Sequence, residues 1–254
     1  MQVLIGADPE VFLCHGENII GALGVVPGSK EVPFKTAHGW VQPDNMLAEF
    51  NIAPAGSRQE FIDNILAVMR DLSEYGQIRV QASHEFQFEE LFACGEKAFE
   101  FGCDPDFSAW TGRPNPRPDP QAVGGLRTAG GHVHIGCDVA IQRPTDVIKA
   151  CDVILGLGSL FFDDDVTRRS VYGKAGAYRP KKYGVEYRTL SNFWVRSPDL
   201  ISWAYDRTVQ AVQELDVAVQ FANQHPDLIQ QAINHSDMAL ATELMAMYEI
   251  QRAA

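Results

Sequence analysis

The stretch Leu126-Arg127-Thr128-Ala129-Gly130-Gly131-His132-Val133-His134-Ile135-Gly136-Cys137 decides the fold. It reads as a β-strand, and along a strand side chains two apart share a face, so His132 and His134 project together. The two glycines before them leave the backbone open to close approach by a ligand, or mark a bulge. A His-x-His pair alone is compatible with a hydrogen-bonded pair in a packed sheet as much as with metal ligation.

Working outward, the same spacing recurs on three other extended segments, as Asp8/Glu10, Glu49/Asn51 and Glu186/Arg188. Each pair sits beside apolar or aromatic neighbours such as Val11, Phe50 and Tyr187. Such pairs either wet one face of a sheet or build one site on it. If the faces converge, Asp8, Glu10, Glu49 and Glu186 repel one another unless cations or protons neutralise them. Carboxylates with an imidazole suit Mg²⁺ or Mn²⁺ better than zinc, and the scattered cysteines offer no zinc set.

The remaining pattern fills in the architecture. Val3–Leu13 and Ile19–Val26 read as strands joined by the turn-like His15-Gly16-Glu17-Asn18, and Val41–Pro54 as one further extended segment. Ser57-Arg58-Gln59-Glu60 has capping-box form, and Phe61, Ile62, Ile65, Leu66, Met69 and Leu72 then recur at helical spacing, predicting a helix over 58–75. Ile78–Ala82 and Phe86–Phe88 read as short strands, Arg113–Gln121 as a proline-rich loop, and Pro144–Phe162 as a buried helix ended by Asp163-Asp164-Asp165. Val166–Gly184 shows no stable periodicity, and Val185–Trp194 resumes as a strand. Ser197-Pro198-Asp199 opens a long helix toward Ala222, with further helices starting at Pro226 and Ser236. Strands followed by helices, without strict alternation, predict an α+β fold with a largely antiparallel sheet. A single catalytic domain over residues 1–254, with a helical segment at 195–254, is expected.

Composition narrows the function. The 254 residues carry a formal charge of −12 and 46% hydrophobic content. That balance opposes general binding to nucleic acid or anionic membranes. The N-terminus lacks signal-peptide character and no apolar run reaches membrane-spanning length. Cys14, Cys94, Cys103, Cys137 and Cys151 are odd in number and scattered, which fits reduced thiols and a cytoplasmic setting.

Against the acidic whole, Arg168, Arg169, Lys174, Arg179, Lys181, Lys182 and Arg188 cluster around a single acid, Glu186. Two readings stand: a solvated basic loop, or a clamp for the oxygens of a triphosphate. Neither a P-loop nor a Gly-x-Gly-x-x-Gly signature is present.

The ordered set GADPEVF (6–12), DNMLAEFNIAP (44–54), FGCDPDF (101–107), TAGGHVHIG (128–136) and YGKAGAYRPKKYGVEYRTLSNFW (172–194) resembles the phage-type carboxylate-amine ligases of type 2. These belong with glutamine synthetase and glutamate-cysteine ligase. The resemblance implies a curved, glutamine-synthetase-like sheet with metals and ATP phosphates on its concave face and helices on the convex one. It implies Glu10, Glu49, His132 and Glu186 as metal ligands, to which the strand-pair reading adds Asp8. His134 would lie against ATP, and Arg188 would meet the transferring phosphoryl group. Lys174, Arg168, Arg169 and Arg179 become further phosphate or carboxylate contacts, with Arg188, Glu49 and Arg179 as the catalytic set.

The expected activity is an ATP- and Mg²⁺-dependent ligase in which ATP converts a small-molecule or peptide carboxylate to an acyl phosphate and an amine displaces phosphate. A nucleotide-independent metal hydrolase and a non-catalytic metal-binding assembly protein are the alternatives. Asp104-Pro105-Asp106, Trp110 and the 113–121 loop are candidates for an acceptor pocket or for plain surface turns, and a homo-oligomer and a monomer both remain open.

Overall fold

A computed structural model describes residues 2–99, 106–116, 118, 123–163 and 165–253. Cys103, Asp104, Pro105, Asp164 and parts of the FGCDPDF motif and the 113–121 loop lie outside the described residues.

The chain is α+β. Its strands are β1 (Leu4–His15), β2 (Asn18–Ile20), β3 (Phe34–Lys35), β4 (Gly39–Asp44), β5 (Leu47–Ile52), β6 (Gln77–Arg79), β7 (Ser83–Glu85), β8 (Phe107–Ser108), β9 (Leu126–Thr128), β10 (Gly131–Gly136), β11 (Ala177–Lys181) and β12 (Gly184–Tyr187). The main sheet runs β3-β4-β5-β1-β10-β12-β11-β8, with β2 and β6 also pairing to β1, and β7 and β9 form a separate ribbon. Every pairing is antiparallel.

The helices are α1 (Arg58–Leu72), α2 (Phe88–Cys94), α3 (Asp138–Gln142), α4 (Pro144–Cys151), α5 (Val166–Val171), α6 (Pro198–Gln213), α7 (Leu215–Gln224), α8 (Pro226–Asn234) and α9 (Met238–Ala253). Alternation along the central strands separates two faces. Ile5, Ala7, Val11, Val133, Ile135, Val185 and Tyr187 point into the main core, which they share with Phe61 and Ile65 of α1, Val147 and Ile148 of α4, and Ile201 of α6. The helices thus cover one face of the sheet, and the alternate residues, Asp8, Glu10, His132, His134 and Glu186, face the other.

Several local expectations are corrected. Val41–Pro54 is a hairpin: Asn45, at φ 59, turns the chain between β4 and β5. Asparagine tolerates that left-handed conformation, so the turn needs no glycine. The strand expected at Ile19–Val26 stops at Ile20. Phe88 begins α2 instead of ending a strand, because Glu90 folds back to accept the Gln87 N–H at 2.7 Å. The 126–137 stretch breaks at Ala129-Gly130, so β9 leaves for the β7 ribbon.

Pro144–Phe162 is helical only to Ser159, and α4 continues through a π-helical turn at Asp152–Gly156. Val166–Gly184 contains α5, whose N-terminus is capped by Asp165, and β11. The strand expected over Val185–Trp194 ends at Tyr187, and Asn192–Arg196 is a 3-10 helix. Ser197 caps α6 as expected, but the helix breaks at Glu214 before α7. The last helix starts at Met238, after a turn with Ser236 at φ 53.

Candidate active site

The four period-two pairs meet because of strand register. Asp8 opposes His132, His134 opposes Glu186, and Glu10 opposes Glu49. Gln42 of β4 extends the row beyond Glu49, and Arg179 of β11 extends it beyond Glu186. Opposed residues share a face, so one polar band crosses the sheet.

Gly130 and Gly131 make the band possible. The Gly130 N–H donates to Glu10 Oε2 at 2.6 Å, and a Cβ there would overlap the His132 imidazole. A Cβ at Gly131 would overlap the Ser191 carbonyl and the Trp194 indole, whose Nε1 donates to the Gly131 carbonyl at 3.0 Å.

The band holds two clusters. In the first, ligand atoms of Asp8, His134 and Glu186 all lie within 4.8 Å of one another. Asp8 Oδ1 is 3.1 Å from His134 Nε2 and 3.4 Å from His132 Nδ1, and His132 Nδ1 is 3.7 Å from Glu186 Oε1. Arg188 Nη1 contacts the same Glu186 oxygen, Arg179 Nη1 lies 3.6 Å from it, and Lys181 Nζ lies 2.7 Å from Oε2. Burial alone would raise the Asp8 carboxyl, but His134 and His132 hold it well below its ordinary value. Burial and Asp8 push Glu186 the same way, and Arg188 with the two histidines brings it down to about 2. Burial and Arg188 depress His132 to about 4, so its imidazole is neutral, whereas Asp8 outweighs burial and raises His134.

In the second cluster, oxygens of Glu10, Asp44 and Glu49 fall within 4.8 Å. Here burial and mutual repulsion outweigh the Gly130 N–H, Arg188 and Arg168, which draw Glu10 down, and the Gln42 side chain, which draws Glu49 down. Burial and Asp44 push Glu10 up to about 7, and burial with Asp8, Asp44 and Glu10 raises Glu49 well above its ordinary value. Lys30 Nζ approaches Asp44 only to 3.8 Å. Three carboxylates, all raised by burial and by neighbouring carboxylates, form a donor set for a hard divalent cation. The orphaned polar atoms fit the same chemistry: Asp8 Oδ1, His134 Nε2 and Glu186 Oε2 are buried without a well-directed hydrogen bond.

Asp44 was missing from the sequence-based set. With Gln42 it makes a fifth period-two pair, on β4, whose face could not be assigned until the β4–β5 turn was placed.

The basic residues divide by position. Arg168 and Arg188 line a narrow cavity of about 60 Å³ together with Glu10, Asp44, Asp106 and His132. Arg168 is clamped to the main chain, its Nη1 donating to Thr189 O at 3.0 Å and Nη2 to Arg188 O at 3.4 Å, while Nε makes no hydrogen bond. Arg169 turns the other way, into the helical layer, with Nη2 3.1 Å from Ser159 Oγ and 3.6 Å from Asp163 Oδ2. The Lys174 side chain is exposed, and its carbonyl accepts from Thr189 Oγ1 at 3.0 Å. Asp106 reaches the site, 3.4 Å from Arg188 Nε, but Trp110 instead packs behind the sheet, donating to Asp152 at 2.7 Å.

Beside the first cluster lies an apolar slot of about 230 Å³ lined by Leu4, Gly6, Ile52, Pro54, His134 and Tyr183. Tyr183 stacks on His134 at 18° between ring planes, and its hydroxyl is 2.6 Å from Nδ1.

A sequence model of the family described as phage phiEco32-like COOH.NH2 ligase-type 2 matches residues 123–249. The chain belongs to this family. The matched half of this ligase carries His132, His134, Arg168, Arg188, Arg179 and Glu186, while Asp8, Glu10, Asp44 and Glu49 come from the preceding half through sheet pairing. No curated protein matches the chain. Among the described residues no helix is long and apolar enough to cross a membrane.

Proposed function

We propose that the protein is an ATP-dependent carboxylate-amine ligase that uses Mg²⁺ or Mn²⁺ and passes through an acyl phosphate. The observation that carries this reading is one polar band holding two cation-competent clusters beside the buried guanidiniums of Arg168 and Arg188. Glu10, Asp44 and Glu49 would hold one divalent ion, and Asp8, Glu186 and His134 a second. When bound, such ions neutralise phosphate oxygens and hold a triphosphate for transfer.

The protein's own residues supply the rest. The apolar slot takes the purine ring against His134 and Tyr183, with Arg179 and Lys181 facing the phosphates. Arg188 and Arg168 face the narrow cavity, where a transferring phosphoryl group finds cationic donors already in place. Carboxylates are poor acyl donors, so phosphorylation followed by attack of an amine splits a difficult step in two. His132, neutral and between the clusters, accepts a hydrogen bond from Arg188 at 3.2 Å and helps hold that side chain.

The reading is tested with MgATP and panels of carboxylic acids, using hydroxylamine in place of the amine. ADP, phosphate and a hydroxamate should appear together, and only when an acid is present. ADP released at the same rate without any carboxylate would sink the proposal.

A further inference from the structure

We propose that Asp152 is a positioning residue for Arg188, acting from the opposite side of the sheet through Tyr187 and Thr189. This rests on the ligase reading, in which Arg188 meets the transferring phosphoryl group. Arg188 is the first residue beyond the end of β12, and its own N–H still donates to the Ala177 carbonyl at 2.9 Å, so the backbone there is held and the side chain is what must be aimed. Its side chain faces the site, so Tyr187 and Thr189 on either side face away.

Both of those neighbours lead to one carboxylate. Tyr187 Oη donates to Asp152 Oδ1 at 2.8 Å, and Thr189 Oγ1 lies 3.4 Å from the same oxygen. Asp152 Oδ2 accepts from Trp110 Nε1 at 2.7 Å, and Trp110 follows closely on Asp106, the residue whose carboxylate meets Arg188 Nε. One fully buried side chain therefore anchors two of the segments that meet at Arg188, its own and the one that carries Asp106.

The helix is shaped around this contact. Asp152 opens the π-helical turn, a geometry often found where a helix serves a site. Gly156 closes it, and a Cβ there would come within 2.8 Å of Tyr187 Oη. A carboxylate buried at this depth is costly, and packing alone would favour an apolar residue. Small displacements matter at the other end of the linkage, since a shift of about 1 Å in a reacting group can cost about a hundredfold in rate.

The test compares Asp152→Ala, Asp152→Asn and Tyr187→Phe with Arg188→Lys in the MgATP and hydroxylamine assay. Tyr187→Phe keeps the ring volume and removes only the hydroxyl. Asp152→Ala and Tyr187→Phe should lower kcat by about tenfold or more while KM for ATP stays within about twofold, and Asp152→Asn should recover part of the loss. In the Asp152→Ala/Arg188→Lys double variant the losses should not add, because one effect acts through the other. An unchanged kcat in folded Asp152→Ala and Tyr187→Phe, or fully additive losses, overturns the assignment. If the wild type releases no ADP with any acid, the ligase reading itself fails. Calorimetry with inorganic phosphate, which stands in for the transferred group alone, then decides the placement of Arg188: equal weakening by Asp152→Ala and Arg188→Lys upholds it, and weakening by Arg188→Lys alone, or by neither, overturns it.

Discussion

Glu10 on β1 and Glu49 on β5 are directly opposed partners of the antiparallel ladder, and both are buried. Like charges at opposed positions destabilise a sheet. With Asp44 beside them, burial and mutual repulsion raise both carboxyls, a strain that a divalent cation would relieve on the proposed reading.

On the proposed reading, stability should depend on metal. Saturating Mg²⁺ should raise the melting temperature, since a ligand at a hundred times its Kd adds about 2.7 kcal/mol. Glu49→Gln mimics the protonated form, so it should melt no lower than the wild type in EDTA and lose most of the Mg²⁺-dependent shift. Thermal melts with and without MgCl₂ measure both quantities. A Glu49→Gln protein with the full wild-type shift would remove Glu49 from the cation site.

On the proposed reading, the apolar slot would bind the base apart from the phosphates. Gly6 faces His134 across the ladder, and a Cβ there meets His134 Cβ at 3.5 Å, an ordinary contact. Gly6→Leu should therefore fold and fill the slot, and Tyr183→Ala should remove its wall. Each should weaken ATP by about tenfold or more, a loss of about 1.4 kcal/mol, and leave magnesium tripolyphosphate unaffected. Calorimetric titrations with the two ligands give the answer, and parallel losses for both would place the base elsewhere.

What the sequence revealed follows from which interactions are local. The sheet face was legible at β1 and β10 because strict alternation around Asp8/Glu10 and His132/His134 carries its own register. Asp44 stayed hidden because its face depends on a turn made by Asn45, which gives a weaker signal than glycine. Arg168 and Arg169 were indistinguishable in sequence, yet consecutive helical residues point about 100° apart, so α5 sends one to the cavity and the other to Asp163. The link between Trp110 and Asp152 joins segments far apart in the chain and leaves no periodic trace.

Gly131 is a position where packing forbids any side chain. Its place against the Ser191 carbonyl and the Trp194 indole brings the segment after β12 onto the start of β10. Gly131→Ala should cost about 1–3 kcal/mol as overpacking forces the two segments apart. Urea denaturation measures this, and a change within about 0.5 kcal/mol of wild type would show that the contact yields freely.

Asp152 gives stability a pH dependence that one substitution can isolate. Burial pushes its carboxyl from 3.8 up to about 7, and hydrogen bonds from Trp110 and Tyr187 offset only part of that. Below about pH 4 the group is protonated in both folded and unfolded chains, and its contribution is fully present. As pH rises toward 7, the unfolded chain releases this proton while the folded one retains it, so stability is lost by up to about 1.4 kcal/mol per pH unit. Above about pH 7 both forms are ionised and the loss levels off. Tyr187 and Cys151 beside it are pushed well above their ordinary values by burial and stay neutral throughout. Asp152→Asn cannot titrate. Its unfolding free energy minus that of the wild type should therefore climb between about pH 5 and 7 and flatten by about pH 8. Urea titrations across that range provide the difference, and a flat line would show that Asp152 is ionised in the folded protein from the start.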